Sequence, residues 1–193
     1  YTLILGEGKT SRDEKRVVEN KKDEIEILNS EIKRANDTIG IKKTFIYNFA
    51  DNRFDSVDLL DIVKVISKVK EEIRPDIIFT HYENDLNIDH KITYQAVITA
   101  TRPMQNESVK EIYSFEILSS TEWNYPLSFS PDTFFDIEDT LDLKISAMKE
   151  YKSELCLYPH PRSLEGIKLN AQYQGMRVGK LFVEAFKSVR VIK

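Results

Sequence analysis

The spacing of hydrophobic residues switches between two periods along the first half of the chain, and this alternation predicts strands and helices in turn. Short apolar runs are typical of buried strands, whereas apolar residues three or four positions apart are typical of one helix face. The predicted strands lie at 1–5, 44–49 and 76–80, and the predicted helices lie at 11–39, 57–72 and 92–100. Strands that alternate with helices of this length indicate right-handed crossovers and a mainly parallel sheet with helices on both faces.

The second half of the chain has a less regular pattern. Its predicted elements are strands at 111–118 and 133–137 and helices at 138–151 and 163–187. We expect the last helix to bury Val178, Leu181, Phe182 and Ala185, which recur at helical spacing. No repeat, low-complexity tract or linker interrupts the pattern, so we expect residues 1–193 to form a single domain.

Composition and charge narrow the classes of partner. The chain has 193 residues, a formal net charge of -4 and a single cysteine, Cys156. An acidic chain lacks a basic surface for a nucleic-acid backbone, so we expect no nucleic-acid partner. One cysteine cannot form an intrachain disulfide, and no apolar run reaches the roughly 20 residues of a membrane helix. We therefore expect a cytoplasmic protein without a membrane span, and homo-oligomerisation stays open.

A cluster of histidines and acids follows the third predicted strand. Residues 81–90 contain two of the three histidines, His81 and His90, together with three acids. Open α/β sheets bind ligands at the carboxyl ends of their strands, and a catalytic zinc ion needs only three protein ligands. His81 and His90 are therefore candidate zinc ligands. The structural alternative is that Asp89 caps the following helix and Asp85 forms a turn.

Two further features bear on this cluster. Metal-binding histidines commonly have their second ring nitrogen held by a carboxylate, so we expect Asp89 to orient His90, with Asp85 as the competing partner. The third histidine, His160, lies between two prolines that stiffen its loop. His160 is structural unless its loop folds over the cleft.

The segment 6–10 shares features with two nucleotide-binding motifs and satisfies neither. Its sequence, Gly-Glu-Gly-Lys-Thr, ends like a phosphate-binding loop, but that loop also needs a glycine where this chain has Leu3. The dinucleotide motif needs a glycine or alanine where this chain has Ser11. We therefore interpret the segment as a strand-to-helix turn.

Several segments together resemble the PIG-L or LmbE-like N-deacetylases, and the resemblance covers nearly the whole chain. The segments are 1–8, 74–81, 85–90, 177–179 and 183–186, with Asp89-His90 in its strand-to-helix context as the most specific part. Members of this family are zinc-dependent enzymes with a Rossmann-like, three-layer α/β fold. They remove acyl groups from N-acetylated sugars and related linear amides. The resemblance implies the same fold and the same class of activity for this protein.

One motif of the family is missing from this sequence. The family has a His-Pro-Asp-Asp-Glu motif after its first strand, which supplies two zinc ligands and the general base. This sequence contains no such motif, and residues 1–5 resemble the family's second strand. We therefore expect a chain that lacks the first strand and its motif, and that holds zinc incompletely or not at all. The chain as given is expected to be inactive, whereas the full-length protein is expected to be the enzyme.

A second departure from the family concerns Asn87. Many members have a histidine at this position, assigned to transition-state stabilisation or to proton transfer. An amide can donate a hydrogen bond but cannot shuttle protons at neutral pH. Either Asn87 keeps only the polarising part of this role, or His81 or His160 takes over the proton transfer.

The resemblance implies a zinc-dependent hydrolase that removes an acetyl group from an N-acetylated sugar or glycoconjugate. The expected site residues are His90 as the remaining zinc ligand, Asp89, Asn87 and His160 as catalytic residues, and His81 and Arg162 as substrate contacts. The alternative hypothesis is a non-catalytic module on the same fold that binds a carbohydrate or another small molecule.

Overall fold

The computed structural model describes residues 1–12 and 18–193, which divide into two compact units. The first unit comprises residues 1–51 and 135–184, and the second comprises residues 52–134 and 185–193. Both units contain strands and helices, so the α/β class predicted from the sequence is confirmed. Within the described ranges, no helix has the length and apolar character needed to cross a bilayer.

Most of the predicted elements are confirmed in type and order. In chain order, the described strands and helices are β1 (Thr2–Gly6), α1 (Lys22–Thr38), β2 (Thr44–Phe49), α2 (Leu59–Ile73), β3 (Ile77–His81), α3 (Ile88–Ala100), β4 (Glu111–Phe115), β5 (Thr133–Asp136), α4 (Leu141–Glu150), α5 (Leu164–Met176) and β6 (Val183–Val191). Helix α1 begins later than the sequence predicts, and residues 13–17 of that predicted helix lie outside the described part of the chain.

In the first unit, β1 and β2 pair in parallel, with Thr2 opposite Thr44. Helix α1 packs against α4, and α4 also packs against α5. The buried apolar side chains of α1 are Leu28, Ile32 and Ala35, which lie three or four positions apart. This spacing brings them to one helix face, as the hydrophobic pattern predicts.

In the second unit, β3 and β4 pair in parallel, and β6 joins β4 in the antiparallel direction. The strand order of this sheet is β3-β4-β6-β5, and the boundary between the two units falls within β5 and β6. Helix α2 packs against α3, and the buried apolar stripe of α2 includes Ile62, Val63 and Ile66. The parallel register puts His81, the last residue of β3, opposite Phe115. The mainly parallel arrangement predicted from the alternation therefore holds for β1/β2 and for β3/β4.

The prediction of one long helix at 163–187 is wrong in its second half. Helix α5 ends at Met176, and the chain then turns and continues as β6. The turn passes so close to the helix end that a Cβ atom on Gly175 would lie 2.5 Å from the carbonyl oxygen of Lys180. Within this turn Gly179 has a φ of +71°, a left-handed conformation that favours glycine and that a continuing helix does not contain. From Phe186 to Val191 the chain pairs with β4, and this pairing, not helical spacing, determines its structure.

Candidate functional site

The cluster at residues 81–90 lies where the sequence predicts it, between the carboxyl end of β3 and the first turn of α3. Asn87 is the N-cap of α3, and its side-chain Oδ1 accepts a hydrogen bond of 2.8 Å from the backbone N–H of Asp89. The cap fixes the start of the helix and therefore the position of His90, in the first turn of α3.

Asp85 is the buried centre of the cluster, with a fully buried side chain. Its Oδ1 accepts hydrogen bonds from the backbone N–H of Asn87 at 2.9 Å and from the hydroxyl of Ser120. Its Oδ2 accepts a hydrogen bond from the hydroxyl of Thr121. The carboxylate is thus held by donors from its own loop and from the 3-10 helix at Thr121–Trp123.

These donors keep Asp85 ionised. Burial alone would raise the pKa of a carboxyl group, because it disfavours the charged form. At Asp85, the hydrogen bonds from His90, Ser120, Thr121 and the Asn87 amide outweigh burial and lower the pKa from 3.8 to about 2. Asp85 is therefore a buried anion at neutral pH.

His90 faces this anion. Its Nδ1 lies 2.9 Å from Oδ1 of Asp85, and its side chain is 19% exposed. An ionised carboxylate can only accept hydrogen bonds, so the contact assigns a proton to Nδ1 of His90. In the neutral ring, Nε2 then carries the lone pair that a metal ion or a proton can take. The cluster thus orients one imidazole nitrogen for binding.

The carboxylate that contacts the imidazole of His90 is that of Asp85, the competing partner. The sequence predicts Asp89 for this contact. The carboxylate of Asp89 accepts hydrogen bonds from the backbone N–H groups of Asn52 at 2.6 Å and Phe54 at 2.9 Å. Asp89 is buried and holds the loop that precedes α2 against the start of α3. Adjacency in sequence suggested the wrong carboxylate, because successive residues on a helix point in different directions.

His81 lies face to face with His90. Their ring centroids are 4.3 Å apart, and their planes differ by 17°. Burial lowers the pKa of His81 to about 3, an effect that the neighbouring His90 increases and that Asp85 opposes. His81 is therefore neutral at physiological pH. Its Nδ1 is buried and has no hydrogen-bond partner among the described residues.

The described residues fit one ligand position of a zinc site and do not complete the site. Nε2 of His90, with Nδ1 held by Asp85, has the orientation of a carboxylate-supported zinc ligand. Nearly parallel stacked rings direct their in-plane lone pairs along separate lines, so His81 and His90 do not converge on one ion. Within residues 1–12 and 18–193, no three His, Cys, Asp or Glu side chains are grouped so that they could hold a metal.

The other two predicted site residues lie in the first unit. The backbone N–H of Arg162 donates to Nδ1 of His160 at 3.1 Å, so the imidazole stabilises its own turn. The Arg162 guanidinium lies 3.3 Å from Oε2 of Glu154, and Nζ of Lys9 lies 2.5 Å from Oε1 of the same carboxylate. The Nε of Arg162 is buried and unpaired among the described residues. A catalytic role for His160 and a substrate contact for Arg162 stay predictions.

Sequence reasoning missed the hydroxyl donors of Asp85. Ser120 and Thr121 lie 35 and 36 residues away along the chain. They follow a turn after β4, and the parallel pairing of β4 with β3 brings this turn to the carboxyl end of β3. No local pattern distinguishes these two hydroxyls from other polar loop residues.

Solved structures with the same fold include proteins with different reactions. The N,N'-diacetylchitobiose deacetylase of Pyrococcus horikoshii is 19% identical with a TM-score of 0.69, covering 98% of this chain and 72% of that chain. The 4-carboxy-2-hydroxymuconate hydratase GalB of Pseudomonas putida KT2440 is 20% identical with a TM-score of 0.68, covering 99% of this chain and 85% of that chain. The shared fold therefore does not decide the reaction.

The sequence itself is similar to a curated relative and to a family profile. The probable N-acetyl-alpha-D-glucosaminyl L-malate deacetylase 2 of Bacillus cereus is 26% identical over 141 residues, which are 72% of this chain. The match spans 63% of that relative's length. The profile of the family described as "PIG-L: GlcNAc-PI de-N-acetylase" matches residues 1–101, more than half of the chain. The chain therefore belongs to the PIG-L family, as the resemblance of its motifs indicates.

Proposed function

We propose that the full-length protein is a zinc-dependent hydrolase that removes an acetyl group from an N-acetylated sugar. Two comparisons support this proposal: the family is described by a de-N-acetylase, and the curated relative is named as an N-acetylglucosaminyl L-malate deacetylase. The observation that carries the proposal is the 2.9 Å contact between Nδ1 of His90 and buried Asp85. Such a contact prepares the opposite ring nitrogen for a metal ion.

His90 would hold zinc, and Asp85 would fix the tautomer and direction of the His90 ring. A bound zinc ion would polarise the amide carbonyl of the substrate and lower the pKa of a bound water. Asn87 would donate a hydrogen bond from Nδ2 to the developing oxyanion, because its Oδ1 already caps α3. Asn87 would therefore act by polarisation and not by proton transfer.

The remaining predicted residues have supporting roles in this proposal. Asp89 would hold the loop around Asn52 and Phe54 against the first turn of α3, so that the segment carrying His90 stays rigid. His160 keeps its predicted catalytic role, and Arg162 its predicted substrate contact, so that replacement of Arg162 would raise KM more than it lowers kcat. The proposed substrates are uncharged or anionic N-acetylglucosaminides, the class to which the substrate in the curated relative's name belongs.

The test compares zinc content and acetate release in the full-length protein and in two histidine variants. His90→Ala should lose bound zinc and should lower kcat for an N-acetylglucosaminide by at least about 100-fold, because loss of a ligand should cost no less than the roughly 10–100-fold that loss of a ligand's supporting partner costs. His160→Ala is the matched control for zinc content alone, because it removes an imidazole that accepts a hydrogen bond from the Arg162 amide and is not bonded to Asp85, so it should keep bound zinc. Zinc content and activity that survive in His90→Ala would refute the ligand assignment.

A non-catalytic binding module is the second candidate, favoured by the incomplete ligand set of the described residues. The two functions differ in a single measurement on the full-length protein. A binding module would take up an N-acetylated sugar, detected by calorimetry, without forming a free amine. An enzyme would release acetate and the amine in equal amounts.

A further inference from the structure

His81 makes ring contacts on both sides and is held at a fixed place in the sheet. It is the last residue of β3, and its register partner on β4 is Phe115. The Phe115 ring lies 5.1 Å away, and the His90 ring lies 4.3 Å away in a nearly parallel stack. His81 therefore fills the space between β4 and the first turn of α3, and one face of the His90 imidazole rests on it.

The geometry argues against His81 as a second zinc ligand and restricts it as a substrate contact. As a ligand alongside His90, it would have to direct an in-plane lone pair at the same ion, at about 2.0–2.1 Å from each nitrogen. Rings stacked at an angle of 17° do not meet this condition. As a substrate contact, it would have to use Nε2, because its Nδ1 is buried and has no hydrogen-bond partner among the described residues. The contact that the structure shows between His81 and the cluster is the stacked face of its ring on His90.

We propose that His81 is a positioning residue that fixes the ring plane of His90 by stacking. Asp85 holds one edge of the His90 ring through Nδ1, and a single hydrogen bond at an edge leaves the ring able to rotate about it. The stacked face of His81 blocks that rotation, so that edge and face together define where Nε2 points. This inference rests on the proposed role of His90. It requires a flat ring at position 81, and it does not require that this ring contain nitrogen.

The requirement for a flat ring gives a matched pair of variants in the full-length protein. His81→Phe keeps a flat ring and removes the nitrogens, whereas His81→Leu keeps apolar bulk and removes the flat face. Phe79→Leu is the control, because Phe79 lies two residues earlier on the same strand face, stacks on Tyr113 and meets Phe186 at a tilt. If His81→Leu does not fold, His81→Met replaces it as the variant without a ring.

Three measurements are made on each variant: proton NMR, zinc affinity and steady-state kinetics. Proton NMR of the metal-free protein detects the His90 Nδ1 proton held by Asp85, assigned by its loss in His90→Ala. Zinc affinity and the separate values of kcat and KM complete the set. We expect His81→Phe and Phe79→Leu to keep the signal, with zinc affinity and kcat within about threefold of the wild type. We expect His81→Leu to broaden the signal and to lower zinc affinity and kcat about tenfold, with KM unchanged.

Two outcomes would overturn the proposal. If His81→Leu leaves the NMR signal and zinc affinity unchanged, stacking does not position His90. If His81→Phe is as damaging as His81→Leu, the nitrogens matter and His81 binds the metal or the substrate directly. Failure of the proposed function is a separate result, because acetate release would then be absent from every variant while the NMR signal of His90 still reports on stacking.

Discussion

Replacement of Asp85 by asparagine removes one charge from the centre of the cluster and leaves its shape nearly unchanged. The carboxylate has no exposed surface and accepts hydrogen bonds from four donors. An asparagine can present its carbonyl oxygen at the Oδ1 position, where the Asn87 amide, Ser120 and His90 all donate. Its NH₂ group would then face Thr121, whose hydroxyl must rotate to accept in place of donating.

The cost follows from the lost charge. A hydrogen bond to a charged group contributes about 1.5–3 kcal/mol, and one between neutral groups contributes about 0.5–1.5 kcal/mol. Each of the three hydrogen bonds at the Oδ1 position would lose roughly 1 kcal/mol when the acceptor becomes neutral. Asp85→Asn should therefore lower the free energy of unfolding by about 3 kcal/mol. With a urea m-value of about 2 kcal/mol/M, the midpoint of unfolding would fall by about 1.5 M.

Urea unfolding followed by tryptophan fluorescence measures this change. The chain has one tryptophan, Trp123, and it lies in the same unit as Asp85. Asp132→Asn is the matched control, because Asp132 accepts two hydrogen bonds of 2.8 Å from Ser188 but is exposed. The control should cost less than about 1 kcal/mol, since water replaces the lost charge interaction. Equal midpoints for both variants would refute the argument that burial of the Asp85 charge matters.

Two other changes test separate features of the second unit. Asp89→Ala removes the acceptor for the amides of Asn52 and Phe54, so hydrogen exchange at these amides should accelerate about tenfold or more; unchanged exchange would contradict the holding role of Asp89. At Glu107, burial acts to raise the pKa, but hydrogen bonds from Lys70 and the Val109 amide outweigh it and lower the pKa below 4.5. The stabilisation by the ionised Glu107 is therefore complete above about pH 4.5 and is lost as the pH falls below it. Glu107→Gln should make the free energy of unfolding fall less steeply in that range. An unchanged slope of unfolding free energy against pH would exclude this contribution.

The helices and strands of the first half could be predicted because their signals are local. The apolar stripe of α2 repeats every three or four residues, and the structure buries Ile62, Val63 and Ile66 from it. The position of the polar cluster is also local, since it follows directly from β3 and begins α3 with an asparagine cap. The second half was harder, because β6 depends on pairing with β4, some 70 residues earlier in the chain. The apolar residues at 178–185 have helical spacing, but the chain turns back close to Gly175, and a helix cannot continue through this turn.

The sequence by itself determined the order of the elements in the first half, the family, and the place of His90 after a strand and within the first turn of a helix. Periodicity and capping depend on neighbouring residues, so they can be read along the chain. Only the tertiary structure decided which carboxylate orients His90 and which residue covers its face. Asp85 is held ionised by Ser120 and Thr121 from a distant turn, and His81 reaches His90 because β3 and α3 pack together. The charge of a buried carboxylate depends on donors collected by the fold, and no local segment of the chain contains them all.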